Sequence, residues 1–177
     1  MKITSLYSNI AAALLFALPA FFSACSYSTA SDTEMLSKET NGSKGFTRAG
    51  LDDTIEYPWF KPAYDAYEPN SVQIEELKKI KNDISVIAFG GEWCSDTREY
   101  LPLFYKVMEQ AEVPAGKIRL VEVDTNKESA DKSSKKYKIM RVPTFVLFYK
   151  GKEIGRVTDK LEEDLETDIL AVYTDKM

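Results

Sequence analysis

The sequence predicts an α/β domain with a mixed four-stranded sheet and helices on both faces. Three observations carry this prediction. Residues 84–89, ISVIAF, form a continuous apolar run that suits a strand buried on both sides. A long connection with a helix joins the first two strands, so they should be parallel. Three residues, 150–152, join the last two strands, which should therefore be antiparallel.

The elements follow one another from residue 71 onward. Ser71 is the expected N-cap of a first helix, and the strand 84–89 and a helix over 97–110 come next. The remaining segments show strand or helix patterns in turn: a strand at 118–124, a short polar helix at 129–137, strands at 142–149 and 153–159, and a helix at 161–173.

Composition narrows the possible chemistry. The chain has 177 residues and a net charge of −5, and its charges are mixed along the sequence, which disfavours a nucleic-acid partner. It contains no histidine, which excludes Cys-His and Ser-His nucleophilic sites. Two cysteines do not suffice for a cysteine-rich zinc site, so we predict no metal and no cofactor.

The N-terminus is typical of an export signal, and we assign residues 1–24 to it. The apolar run 10–22 is shorter than the roughly 20 residues of a membrane-spanning helix. The sequence F-S-A-C at its end resembles the lipobox of bacterial lipoproteins, and this resemblance implies that Cys25 is acylated and becomes the mature N-terminus. The alternative is simple secretion, with cleavage near Ala24 and a free Cys25.

Two segments separate this signal from the domain. Residues 25–56 are rich in serine, threonine, glycine and charge, which predicts a flexible tether. Residues 57–70, YPWFKPAYDAYEPN, combine five aromatic residues with three prolines, which we take to exclude a regular helix. This segment is either a collar packed onto the domain or an exposed aromatic binding surface.

The segment GGEWCSDTRE, residues 90–99, holds the candidate reactive group. Cys94 lies between the strand 84–89 and the helix that begins near Thr97. A helix N-terminus favours the thiolate form of a cysteine. Thr97 follows one turn later, where we expect its hydroxyl to reach the sulfur.

Together these motifs resemble the thioredoxin superfamily. The resemblance rests on VIAFGGEWCSDT, on the strand IRLVEVD with the helix after it, and on KYKIMRVPTFVLFYKGKEIGRV, and it covers residues 71–177. It implies a thioredoxin-like fold, a cis bond between Val142 and Pro143, and a groove in which Trp93, Val142 and Pro143 contact an extended substrate beside Cys94.

Two positions depart from the pattern of this superfamily. Thr97 stands where the second, resolving cysteine is expected. Ala88 stands where many thioredoxins carry a buried carboxylate that helps to deprotonate that cysteine. The two losses are consistent with each other, because a missing thiol needs no base.

Three functions remain open at this point. A lone thiolate at Cys94 can attack a disulfide and form a mixed disulfide with a partner, although it lacks an internal thiol for release. Alternatively, the domain is a binding or chaperone-like module that uses the groove, or Cys94 is only structural.

The predicted partners and location follow from these assignments. We expect protein thiols and disulfides or extended peptides as partners, and contact with a membrane through lipid on Cys25. The predicted location is the bacterial cell envelope, with the domain anchored and facing the periplasm, or exported, and not the cytoplasm.

Overall fold

A computed structural model describes residues 46–175 of the chain. Within these described residues, five helices are present: α1 (Phe60–Ala66), α2 (Ser71–Ile80), α3 (Ser95–Gln110), α4 (Ser133–Lys136) and α5 (Leu165–Thr174). The same residues contain four strands: β1 (Ile84–Gly90), β2 (Ile118–Glu122), β3 (Thr144–Tyr149) and β4 (Lys152–Thr158). Short 3-10 turns lie at Gly50–Asp52 and Ala115–Lys117.

The strands form one mixed sheet in the order β2-β1-β3-β4. β1 and β2 are parallel, with Val86 opposite Ile118. β3 pairs with both β1 and β4 in antiparallel orientation. The predicted fold class is therefore confirmed, with one parallel pair and antiparallel pairing on the other side of β1.

Side chains alternate between the two faces of the sheet and bury two clusters. The large core lies against helices α1, α2, α3 and α5, and includes Phe60, Leu77, Val86, Ala88, Leu101, Phe104, Phe145, Leu147, Leu165, Ile169 and Tyr173. The small core on the opposite face consists of Ile87, Phe89, Val121, Val123, Tyr137, Ile139, Val142, Val146 and Phe148.

Several element ends differ from the prediction because polar side chains bind the backbone there. Asn70, rather than Ser71, caps α2, and its side chain accepts a hydrogen bond from Val72 N–H at 3.0 Å. The helix predicted at 161–173 begins only at Leu165, after its cap Asp164. The helix predicted at 129–137 is shortened to α4, because Ser129 and Ser134 exchange side-chain to backbone hydrogen bonds before it.

The prediction that prolines exclude a helix from residues 57–70 is wrong, because α1 lies within this segment. Pro62 is the third residue of α1. It is tolerated because the N–H groups of a first helical turn have no partner inside the helix. Tyr57 and Phe60 are buried in the large core, so these two aromatic side chains pack onto the domain.

Within residues 46–56 two side chains pack onto the domain, which differs from the predicted flexible tether, while residues 52–56 are exposed. Phe46 and Leu51 are buried in the large core. The Arg48 guanidinium carbon lies 5.2 Å from the centre of the Phe60 ring and 5.2 Å from that of Tyr105. Isolated aromatic and leucine residues in a polar stretch show no periodicity, which explains why the sequence pattern missed them.

The predicted signal peptide, Cys25 and the rest of the predicted tether lie outside the described residues. Within residues 46–175, no helix combines the length and apolar character needed to cross a bilayer.

Candidate functional site

Cys94 lies at the junction between β1 and α3. It is the N-cap residue of α3, with extended backbone angles (φ −93°, ψ 125°). Its N–H donates to Gly91 O at 3.0 Å, and its own carbonyl accepts the N–H of Arg98 at 3.2 Å. These two bonds hold the half-buried thiol at the first turn of the helix, where the unpaired N–H groups and the helix dipole favour negative charge.

The thiol faces the loop before β3. Its sulfur donates a hydrogen bond to the carbonyl oxygen of Val142 at 3.3 Å. The Val142–Pro143 peptide bond is cis, and both residues are buried. Thr144 begins β3 and anchors this loop by donating its hydroxyl proton to Arg141 O at 2.8 Å. Residues 48 positions apart in the chain therefore meet at the sulfur atom.

Thr97 lies behind the thiol and is fully buried. Its hydroxyl accepts a hydrogen bond from Gly91 N–H at 3.3 Å. Among the described hydrogen bonds, none joins this hydroxyl to the Cys94 sulfur, so the expected contact is replaced by one with the backbone. Thr97 therefore holds the turn that carries Cys94, and the Cys94 sulfur forms its hydrogen bond with the Val142 carbonyl instead.

Trp93 forms one wall beside the thiol. Its indole N–H donates to Val123 O at 3.0 Å, while 43% of the residue stays exposed. The Lys127 ammonium lies 5.3 Å from the ring centre. Gly91 is required beneath this ring, since a Cβ there would lie 2.3 Å from the indole nitrogen and 2.8 Å from Val123 O.

Met140 was not singled out by the sequence analysis, although it lies near the same site in the chain. It is 80% exposed, which is unusual for a large apolar side chain, and it comes two residues before Val142. The only available signal was its place in the motif KIMRVPT. Trp93 and Met140 thus leave apolar surface on both chain segments that supply the site.

Charged residues of both signs surround the thiol. Glu92 and Arg98 are exposed, and Asp96 accepts a hydrogen bond from the Ser95 hydroxyl at 3.1 Å. Arg141, on the loop before β3, makes an ion pair with Asp159 at 3.5 Å. Across residues 46–175 there is no group of three histidine, cysteine or acidic side chains placed to hold a metal ion.

Ala88 lies in the middle of β1 and is fully buried in the large core. Its partners across the sheet are Leu120 and Phe145. The position at which the resemblance leads one to expect a carboxylate is therefore enclosed by apolar residues on both neighbouring strands.

A comparison with protein-family models shows which family this chain belongs to. The family model described as Thioredoxin matches residues 70–171, which is more than half of the chain. The chain belongs to the thioredoxin family. Members of this family typically act on protein thiols and disulfides. The position of the half-buried Cys94 thiol is consistent with a family of thiol-disulfide oxidoreductases.

Individual thioredoxins show the same relationship at low identity. A thioredoxin of Chlamydia pneumoniae is 26% identical over 91 residues, which covers 51% of this chain and 83% of that protein. A putative thioredoxin-4 of Dictyostelium discoideum is 28% identical over 95 residues, covering 54% and 84%.

One solved structure, a Pseudomonas aeruginosa protein of unknown function, is similar in fold at a TM-score of 0.50. It is 14% identical and the match covers 72% of this chain and 77% of that one. At this identity the similarity concerns the fold alone.

Proposed function

We propose that this thioredoxin-family protein is a monothiol disulfide-exchange protein of the bacterial cell envelope, tethered by lipid on Cys25. The observation that supports the thiol chemistry best is the placement of Cys94. Its sulfur lies at the start of α3, within 3.3 Å of the Val142 carbonyl on the opposite loop.

The first step is capture of a partner. The Cys94 thiol loses its proton to solvent, and the thiolate attacks one sulfur of a partner disulfide. A new bond forms between Cys94 and that sulfur as the partner's own S–S bond breaks, and the second partner sulfur leaves as a thiolate. The helix N-terminus favours the attacking thiolate.

Release requires a second thiol, and Thr97 does not provide one. The protein is therefore returned to its thiol form when an external low-molecular-mass or protein thiol attacks the mixed disulfide. That thiol becomes joined to the partner, and Cys94 leaves as a thiolate. An internal cysteine would act at a much higher effective concentration, so the mixed disulfide should be long-lived here.

Trp93 and Met140 are proposed to receive the partner. Both side chains leave apolar surface exposed, Trp93 next to Cys94 in the chain and Met140 two residues before Val142. An extended polypeptide could place an apolar side chain on each while its sulfur approaches Cys94. The same surface would also serve a binding module that does not use the thiol. The following experiment distinguishes covalent capture from such non-covalent binding.

The test is covalent capture in cells. Thiols are quenched with acid and blocked, and adducts of the tagged full chain are separated without reductant and identified by mass spectrometry. Three proteins are compared: wild type, Cys94→Ser, and a double variant with Cys94→Ser and Ser95→Cys, which keeps a thiol but moves it one position. We expect reductant-sensitive adducts for wild type only. Recovery of the same partners by native pull-down with wild type and with Cys94→Ser, together with no covalent adducts from wild type, would instead support a non-covalent binding module.

The lipid anchor is tested separately. Three acyl chains would anchor the protein firmly, since each buried CH₂ contributes about 0.8 kcal/mol. We expect wild type in the membrane fraction with the intact mass of an acylated protein beginning at Cys25. A Cys25→Ser variant should lose the acyl mass and move to the soluble fraction. An unmodified Cys25 in the wild-type protein would contradict this part of the proposal.

A further inference from the structure

Phe46 reaches the turn that carries the reactive thiol, although it lies 48 positions earlier in the chain. Its side chain is 4% exposed. A Cβ placed on Gly90 would lie 3.6 Å from Phe46 Cζ and 2.8 Å from Thr97 Cγ2. Gly90, the last residue of β1, is therefore enclosed by Thr97 and by the edge of the Phe46 ring.

Tyr57 supports Phe46 from the same part of the chain. The two rings meet edge to face, with centroids 6.2 Å apart, and Tyr57 is itself buried. Burial, the hydrogen bond to Glu56 and the negative charges of Glu92 and Glu122 together raise the pKa of Tyr57 to about 12. Tyr57 thus packs against the ring that borders Gly90, the residue before the loop that leads to Cys94.

A short series of backbone contacts connects Phe46 to the thiol. Gly90 O accepts the N–H of Val123 at 2.9 Å, which fixes the end of β1. Gly91 N–H donates to the Thr97 hydroxyl, and Gly91 O accepts the N–H of Cys94. A shift of Gly90 would therefore move Cys94 relative to both the first turn of α3 and the Val142 carbonyl.

We propose that Phe46 is a positioning residue for Cys94, and that it acts by holding the Gly90–Gly91 turn against Thr97. This inference rests on the proposed function of Cys94 and deepens it. Phe46 then does more than join the anchor to the domain, since it packs beside Gly90, from which the loop to Cys94 leads. Deletion of the Phe46 ring leaves a void beside Gly90, into which the turn relaxes.

The test measures the reaction of Cys94 with 4,4′-dithiodipyridine. All variants carry Cys25→Ser in the full chain, so that Cys94 is the only thiol. We expect Phe46→Ala to slow the reaction at least fivefold, because the sulfur leaves its place at the helix N-terminus. Phe60→Ala is the matched control: it removes a similarly buried aromatic ring whose contacts are with Trp59, Tyr64, Tyr105 and the Arg48 guanidinium rather than with Gly90. The reaction rate of Phe60→Ala should stay within twofold of the parent protein, even if its free energy of unfolding falls by as much as that of Phe46→Ala.

Phe46→Leu and Phe60→Leu keep the comparison decisive if an alanine variant does not fold. Phe46→Leu should slow the reaction two- to threefold, and Phe60→Leu should leave it unchanged. Amide hydrogen exchange gives a second readout: exchange of Gly91 N–H should accelerate in the Phe46 variants relative to the amides within β1. Equal rates for Phe46 and Phe60 variants, or an unchanged Phe46→Ala rate, would overturn the proposal.

Failure of this inference is distinguishable from failure of the proposed function. The rate with a small disulfide is a property of the purified protein and needs no natural partner. Absence of captured partners in cells would remove the proposed function and leave the positioning comparison intact. Normal capture with a rate that is insensitive to Phe46 would remove only the positioning role.

Discussion

The two faces of the sheet differ in what they bury and in what they support. The large core joins four helices to one face and contains the stacked pair Phe104 and Phe145, whose ring centres are 4.4 Å apart. The small core on the other face is covered by the short helix α4 and its loops, and Cys94 packs against it. Most of the buried apolar surface thus lies on one side, and the thiol contacts the other.

On each side of the sheet, a carboxylate also links separate segments of the chain. On the large-core side, the buried Glu166 of α5 accepts the Tyr67 hydroxyl at 2.7 Å and Asn70 N–H at 2.5 Å. On the small-core side, Asp131 pairs with the buried Arg119 of β2 and accepts the Ser133 hydroxyl at 2.7 Å. The contrast predicts that most large-core residues, unlike Phe46 beside Gly90, support stability without placing the thiol. Phe104→Ala tests this prediction, and variants of the two carboxylates test what each contributes to stability.

The largest loss of stability is expected for Phe104→Ala. The ring is fully buried in the large core, and such substitutions cost about 3–5 kcal/mol of the free energy of unfolding. Urea denaturation measures this loss. Under conditions in which the variant remains folded, the rate of Cys94 with a small disulfide should change less than twofold. A reactivity change as large as that of Phe46→Ala would show that the thiol depends on the large core as a whole and not on the residues around Gly90.

A smaller, pH-dependent loss is expected for Asp131→Asn. Burial opposes ionisation, but the hydrogen bonds from Ser133 and Ser129 and the Arg119 charge outweigh it and hold the Asp131 pKa below its ordinary value of 3.8. The charged form is therefore stabilised by folding, so its contribution is present above that value and is lost as the pH falls through the lowered pKa. Hydrogen bonds to a charged group are worth about 1.5–3 kcal/mol, which sets the expected loss at pH 7.

Denaturation of wild type and Asp131→Asn at pH 7 and at pH 3 measures this dependence. The difference in unfolding free energy between the two proteins should shrink at pH 3. Asp65→Asn is a suitable control, because Asp65 forms only an exposed pair with Lys61. A difference that stays constant, or grows, at pH 3 would contradict the assigned role of Asp131.

The smallest effect is expected for Glu166→Gln. An amide keeps one oxygen acceptor but presents a donor to the second N–H or O–H group, so one of the two hydrogen bonds should be lost. We expect a decrease of about 1 kcal/mol in the free energy of unfolding, measured with urea. Glu163→Gln, an exposed neighbour, should change stability by less than 0.5 kcal/mol. Equal effects at the two positions would show that Glu166 does not fasten residues 67–70.

The order of strands and helices was predictable because apolar periodicity and connection length constrain it. The run 84–89 and the short turn after β3 sufficed to place β1, β3 and β4. The ends of elements were less predictable, since Asn70 and Ser129 bind backbone groups through local geometry that composition does not reveal. Pro62 led to a wrong prediction, because the position of a proline within the helix, and not its presence, decides whether it breaks the helix.

The residues proposed for the site could be singled out from the sequence more easily than the residue that supports them. Cys94, Thr97, Trp93, Val142 and Pro143 could be singled out by motif, and the structure places Cys94 against Val142. Phe46 could not be singled out in this way, because it lies in a polar stretch and its contact, Gly90, lies at the end of a strand far along the chain. Long-range packing of a single aromatic side chain leaves no periodic signal in sequence.

If Cys94 captures a disulfide and Thr97 provides no internal thiol for release, a mixed disulfide at Cys94 should be long-lived. Its lifetime can be measured on a mixed disulfide between Cys94 and a peptide, followed by intact mass in wild type and Thr97→Cys, both with Cys25→Ser. Without added thiol, the wild-type adduct should persist for hours, and the Thr97→Cys adduct should release the peptide and form an internal disulfide. Rapid release of the peptide from wild type without added thiol would contradict the proposed mechanism. A Thr97→Cys adduct as persistent as the wild-type adduct would contradict it as well.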